Sequence, residues 1–205
     1  RQGFFSLRWK PSSNVSVQLT PQYSFSRIGA QWVANIEDPA MAATAGIRNL
    51  FGDLYQHVIT FPLRLNWVFS PRLSLQAYIQ PYIAVGEYRS FKELARPRSF
   101  DFNRYGENGA TIISGNGNYI LDPDGAGPLD SFKINNPDFN YKSLRGTVVL
   151  RWEYRPGSVL YLVWTQNRAD YTNPGDLRFG RDLGDLLNAR GDNIFMLKAT
   201  YRFKI

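Results

Sequence analysis

The chain has 205 residues, 43% hydrophobic and 15% aromatic, with a formal net charge of +7. That length holds one domain or part of one, and no apolar run approaches the roughly 20 residues of a membrane-spanning helix. The absence of cysteine removes disulfides and thiol chemistry, and scattered rather than clustered basic residues give no nucleic-acid footprint.

The N-terminal part reads as strands joined by a turn. A first strand covers Phe4 to Lys10 and ends at Pro11-Ser12-Ser13-Asn14. From Val15 to Phe25 the alternation is clean: Val15, Val17, Leu19, Pro21, Tyr23 and Phe25 face one way, Ser16, Gln18, Thr20, Gln22 and Ser24 the other. A side-chain period of two is the mark of a strand with one apolar and one polar face. The pattern returns at Ile59, Phe61, Leu63, Leu65, Trp67 and Phe69, then, after Ser70-Pro71-Arg72, at Leu73, Leu75, Ala77, Ile79, Pro81, Ile83 and Val85. It returns again at Leu144, Gly146, Val148, Leu150, Trp152 and Tyr154, followed by Pro156-Gly157-Ser158.

These runs alternate for about 11 residues or more, which exceeds the usual soluble strand of about 5–6 and matches the 9–11 that a tilted strand needs to cross a bilayer. Proline and glycine supply the short turns, and each turn follows an aromatic-rich strand end. Three connections are longer, at roughly residues 37–50, 96–141 and 171–191. Short turns on one side and long loops on the other are the arrangement of outer-membrane barrels. Prolines 21, 62 and 81 remove ladder donors and are expected at bulges.

The chain ends in a further alternating run from Asn193. Phe195, Leu197, Ala199, Tyr201, Phe203 and Ile205 face one way, Met196, Lys198, Thr200, Arg202 and Lys204 the other. Leu197, Ala199, Tyr201, Phe203 and Ile205 form a candidate barrel-closing signal of the kind bacterial outer-membrane proteins carry at their C-terminus. The expected fold is therefore all-β: the C-terminal portion of an antiparallel transmembrane β-barrel spanning residues 1–205, with about seven long strands, an odd number that does not close a barrel of even strand count. The start at Arg1, without Met or signal peptide, leads us to expect upstream strands.

The chemistry is sparse. The single histidine, His57, has no serine partner at a short spacing and is expected at the outer end of its strand, and one histidine without cysteine makes no metal site. No catalytic residue and no cofactor are assigned. Asp122, Asp124 and Asp130, close to glycines, are candidate calcium ligands, but the full loop pattern with its terminal glutamate is missing. Ser114 to Asn118 is glycine-rich without the lysine and serine of a phosphate loop. Phe100, Phe102, Tyr105, Tyr119, Phe132, Phe139 and Tyr141 in the longest connection are expected to pack that connection onto itself, stacking on sugars being the alternative.

Arg64, Arg145, Arg151, Glu153, Lys198 and Arg202 fall on polar faces and are candidate lumen residues. Either they form an electropositive wall that binds or conducts anions or polar sugars, or they make charge ladders with Glu153 that hold strands in register. The second is preferred on sequence alone.

Two blocks carry a family resemblance. One runs from Arg64 to Tyr82, R-L-N-W-V-F-S-P-R-L-S-L-Q-A-Y-I-Q-P-Y; the other runs from Asp138-Phe139-Asn140-Tyr141 through R-W-E-Y-R-P-G-S to Tyr161-Leu162-Val163-Trp164-Thr165-Gln166. From about residue 15 onward the chain resembles the C-terminal barrel region of an uncharacterised bacterial outer-membrane family. In that family a family-9-type carbohydrate-binding domain precedes a domain of unknown function. The resemblance implies a bacterial outer-membrane location, with lipid and the barrel-assembly machinery as partners and polysaccharide held by an upstream domain. It implies a membrane anchor or pore. The alternatives from other classes are a barrel-embedded hydrolase acting on glycan or lipid, and a soluble secreted β-sandwich whose apolar faces are buried against a second sheet.

Overall fold

The computed structural model describes residues 1–203. Strands hold 66% of the chain and helix 6%, so the expected all-β class holds. In order, the strands are β1 (Gln2–Phe4), β2 (Leu7–Ser12), β3 (Val15–Leu19), β4 (Gln22–Glu37), β5 (Ile47–Thr60), β6 (Leu63–Ser70) and β7 (Leu73–Leu94). They continue with β8 (Phe102–Arg104), β9 (Thr111–Gly115), β10 (Asn118–Asp122), β11 (Phe132–Asn135), β12 (Phe139–Arg155) and β13 (Ser158–Thr172). A helix, α1 (Phe179–Asn188), precedes β14 (Gly191–Thr200).

Eleven of these strands form one antiparallel sheet. β1 with β2, β3 with β4, and β5 with β6 each continue one another across a two-residue break, and β8 is a short spur on β7. The sheet is thus a meander of seven long crossings, the number read from the alternation. The first crossing (β1–β2) and the last (β14) each pair on one side only, and both run from the long-connection end toward the short-turn end. Among the described residues the sheet is open, a half-barrel-like surface.

Two of the three prolines cause the breaks. Pro21 separates β3 from β4 and Pro62 separates β5 from β6, because neither can donate to the ladder. Their carbonyls still accept: Phe5 donates to Pro21 at 3.3 Å, Thr20 to Pro62 at 3.0 Å, and Phe61 to Pro81 at 3.1 Å. Pro81 stays inside β7. The register bulges lie elsewhere, at Ile28/Gln31, Trp32/Ala34, Phe51/Asp53 and Val68/Ser70 among others. The crossings also outrun the alternation, with β4 reaching Glu37 and β7 reaching Leu94.

Register sorts the faces. One row across all seven crossings reads Trp9, Val17, Leu65, Ala77, Val148, Trp164, Phe195. The adjacent row, pointing the other way, reads Arg8, Gln18, Arg64, Tyr78, Thr147, Thr165, Ile194. The apolar band that results slants across the ladder. Val15 lies opposite Trp67, yet the next turn comes after Ser70; Leu73 lies opposite Trp152, yet the turn after that follows Arg155. The other limit of the band slants in the same sense: on the second, fourth, fifth and sixth crossings the first charged residues on the apolar face are Arg27, Glu87, Lys142 and Arg168, each lower in register than the one before or level with it, while Asp53 on the third lies two residues beyond the row of Arg27 and Glu87. The drift is about 1–1.5 residues per strand, which at a rise of about 3.3 Å and a spacing of about 4.8 Å corresponds to a slant of about 35–45°.

The long connections clothe only one end. β9, β10 and β11 form a three-stranded sheet whose Leu121 and Ile134 join Leu50, Phe91 and Tyr105 in the main hydrophobic core, with Tyr88, Tyr119 and Phe132 packed against it. Tyr88 shares the parity of Tyr78 and Tyr82, so this cap lies on the polar side. α1 lies on the other side: Phe179 packs edge-on to Phe61 at 5.7 Å, and Asp182 Oδ1 accepts from Asn140 Nδ2 at 2.9 Å. Leu186 of α1 is fully buried. Leu186→Ala should cost about 2–5 kcal/mol of the local stability that docks α1; limited proteolysis is expected to cut within residues 173–190 while leaving the rest of the sheet intact.

Candidate functional site: the polar face

The polar face is built by strand alternation, so each of its side chains is positioned by a ladder on both sides except at the two edges. Arg64 on β6 lies over the Tyr78 ring at 5.0 Å. It lines a depression with Asn66, Gln76, Tyr78, Thr147 and Val149. A second depression is lined by Gln80, Tyr82, Tyr141, Ser143 and Arg145. The two follow one another along β7 and β12, the Gln80–Arg145 pair standing two residues from the Tyr78–Thr147 pair. Lys198 on β14 sits over a third, with Tyr161, Val163 and Met196. Tyr161 lies opposite both Arg151 and Lys198 in the ladder.

Charge pairing within this set is limited to one bridge among the described residues. Arg151 Nη2 meets Glu153 Oε2 at 3.3 Å, and Glu153 also accepts from the Gly157 amide at 3.0 Å. Arg64, Arg145 and Lys198 make no ion pair among the described residues. Arg202 follows β14; its amide donates to Ser158 Oγ at 3.0 Å and its side chain packs against Gly157, where a Cβ would meet its Cδ at 2.6 Å. Arg151 and Glu153 both lie on β12, so this bridge joins no two strands.

At the short-turn end, aromatics gather on the apolar side. Trp67 lies 4.3 Å from Phe69, Trp152 is 6.1 Å from Tyr154, and Tyr201 is 4.7 Å from Phe203. Arg155 Nη1 donates to the Tyr201 hydroxyl at 2.8 Å. Of the C-terminal signal, Leu197, Ala199, Tyr201 and Phe203 are on or just past β14, and Ile205 lies outside the described residues.

Elsewhere the candidate chemistry resolves into local structure. Asp122 Oδ1 accepts the amides of Asp124 and Gly125 at 3.2 and 2.8 Å, and Asp124 Oδ2 accepts that of Leu129 at 3.1 Å. These carboxylates fold the turn after β10, and among the described residues no three acidic or histidine side chains gather as a metal site. His57 Nδ1 shares a hydrogen bond with the Tyr23 hydroxyl at 2.8 Å, and its ring lies 4.9 Å from Phe25. Of the aromatics in the longest connection, Tyr105 and Phe132 pack edge-on at 5.9 Å, Phe102 packs on Phe51, and Phe100 is 91% exposed. Tyr141 instead lines the second depression of the polar face.

Three buried ionic clusters escaped the sequence, one of them Asp53 with Lys92 at 2.6 Å and Arg27 at 2.8 Å. Lys142, wholly buried, reaches Asp170 at 2.9 Å and Asp185 of α1 at 3.6 Å, and donates to Thr172 Oγ1 at 3.0 Å. At the base of the cap, Arg48 bridges Asp38 at 2.5 Å and also Glu93, which accepts from the Tyr105 hydroxyl at 2.6 Å. Burial alone would lower the Arg48 pKa, but the bonds to Glu93 and Asp38 outweigh it and raise it. Burial, aided by Glu93, pushes the Tyr105 hydroxyl well above its ordinary value. The composition of each segment offered no signal for these clusters, since their members are far apart in the chain.

The fold and its two faces define the class: a single-layer antiparallel sheet of long strands, polar on one face, apolar on the other, capped at one end. Within that class the chain belongs to the family described as "Domain of unknown function (DUF5916)", which matches residues 2–203. No curated protein and no solved structure matches the chain.

The Arg48 hydrogen bond, then the Ala40 amide, hold the Asp38 carboxyl below its ordinary value. A depressed folded-state pKa stabilises above the unfolded-state pKa and is lost as pH falls through the folded one. Hydrogen exchange of residues 38–46, corrected for intrinsic rates, should therefore accelerate as pH drops below the carboxylate range. Asp38→Asn should abolish that acceleration.

Proposed function

We propose that this chain is the lipid-facing wall of a bacterial outer-membrane β-barrel that anchors, or forms a pore for, the protein of which it is part. The observation that carries the proposal is an apolar face on which, among the described residues, only α1 packs, near Phe61 and Lys142 at the end away from the short turns. Between the short turns and the first charges, every crossing presents uncharged, mostly apolar side chains on that face. Leu162, Phe195 and Leu197 are 45%, 76% and 67% exposed. A soluble sandwich would bury them against a second sheet. The second sheet here packs near Leu50 and Phe91, at the far end and on the polar side. An exposed apolar surface of this extent signals a partner or a membrane.

The slant of the band supports the membrane over a protein partner. A band inclined at about 35–45° to the ladder becomes level once the strands tilt by the angle usual in transmembrane barrels. The three short turns then share one plane, with the Trp67, Trp152 and Tyr201 groups as an aromatic girdle beside them. Most of the charges that end the band fall near the opposite plane, with the cap beyond it and α1 straddling it where Phe179 meets Phe61. The membrane partners that follow are outer-membrane lipid and, through the aromatic β14 end, the barrel-assembly machinery. An upstream carbohydrate-binding domain holding polysaccharide rests on the resemblance of the Arg64–Tyr82 and Asp138–Gln166 blocks alone.

Charge tolerance tests the proposal. Ala77 sits near the middle of the band; Ala77→Arg in the protein folded into lipid vesicles should lower stability by about 2–4 kcal/mol. Thr147→Arg, on the opposite face at the neighbouring level, is expected to cost far less. Equal tolerance at both positions, read from urea unfolding, would show that the apolar face does not meet lipid.

A further inference from the structure

We infer that the polar face carries a half-ring of cations that draws anions into the barrel interior. The inference rests on the membrane reading for its common level and on register for everything else. Arg8, Arg64, Arg151 and Lys198 occupy the first, third, fifth and seventh crossings, all on the polar face. Arg8 and Arg64 share one ladder row, and Arg151 and Lys198 share another four residues nearer the short turns, an offset in the sense of the band's slant that brings the four toward a common depth. Successive members lie two strands apart, about 10 Å across the sheet, and between Arg64 and Arg151 a four-residue step adds about 13 Å along the strands; long side chains and a bound oxyanion span these gaps in part.

The intervening strands furnish neutral partners instead of carboxylates. Arg8 Nη2 donates to Gln18 at 3.4 Å, Arg64 lies over Tyr78, and Tyr161 stands between Arg151 and Lys198 in the ladder. Arg8, Arg64 and Lys198 are solvent-exposed. The one carboxylate near this level on the polar face of the described crossings is Glu153, and it is engaged by Arg151 and the Gly157 amide. A structural ladder needs alternating signs, since like charges oppose one another across strands. Four cations against one carboxylate is the opposite design, and rings of arginine and lysine are how pores favour anions and phosphate groups. Tyr78, Tyr161 and the nearby Gln76 add hydroxyl and amide groups, so a solute bearing a carboxylate or phosphate and several hydroxyls fits this chemistry best.

This chain has no cysteine, and any cysteine elsewhere in the full-length protein is first replaced by serine. Thr147→Cys places a thiol in the ladder row of Arg64 and Tyr78; Leu162→Cys places one on the apolar face. The full-length protein is reconstituted in vesicles and treated with methanethiosulfonates bearing either a sulfonate or a trimethylammonium group. Relative to free cysteine, the sulfonate reagent is expected to favour Cys at 147 by about tenfold or more at low salt. Arg8→Gln, Arg64→Gln and Lys198→Gln together should bring the preference close to unity, and salt should weaken it. Equal rates for both reagents, no reaction with either, or a preference indifferent to the triple substitution would each overturn the inference. Ready reaction of Cys at 162 with both reagents would instead overturn the membrane reading, and with it the ring, whatever happens at 147.

Discussion

Antiparallel register is the constraint from which the rest of this structure follows. Three short turns, each built on proline or glycine or on adjacent small polar residues, lock neighbouring crossings together, and side chains then alternate without choice. A slip of one residue would exchange Trp9, Leu65, Ala77 and Phe195 for Arg8, Arg64, Tyr78 and Ile194, moving cations to the apolar side and tryptophans to the polar side. The bulges do not disturb this sorting within the band, because they cluster near the turns or beyond the first charges. Register is therefore strongly specified where the two faces differ most in chemistry.

The same alternation explains what was legible beforehand. Strand number, the three turns, the two faces and the three long connections could be read because a period of two repeats over many residues and is punctuated by Pro71, Pro156 and Gly157. The connections hid their contents. In residues 173–190 the helix is a single short amphipathic segment whose Phe179, Leu183, Leu186 and Leu187 sit at helical spacing; flanking turn residues and two interior glycines masked the pattern. β9, β10 and β11 are too short for periodicity to separate them from loop. The ionic clusters at Lys142 and Arg48 were illegible for another reason. Lys142 follows the alternation of an apolar face and looks like an interruption of it, until α1 supplies Asp185 and β13 supplies Asp170.

Alternation placed the candidate polar groups on one face of their strands, but it did not say which groups they meet. Spacing along one strand cannot say which charges meet across strands. The structure shows that Glu153 is engaged by Arg151 of its own strand and that Arg64 has, across the ladder, an aromatic ring and not a carboxylate beside it. The prolines taught a similar lesson. Pro21, Pro62 and Pro81 fall at neighbouring levels of three adjacent crossings, where each retains its acceptor and forfeits only its donor. The cost is two short breaks in continuous crossings, with no bulge at either proline.

An odd count of crossings has a consequence for traffic. A chain that traverses a layer seven times enters on one side and leaves on the other, so the two outermost crossings point the same way. Joining them edge to edge, within one copy or between two copies of like orientation, would make a parallel seam in an otherwise antiparallel wall. Restoring uniform polarity takes an odd number of additional traverses, whose first member starts on the short-turn side.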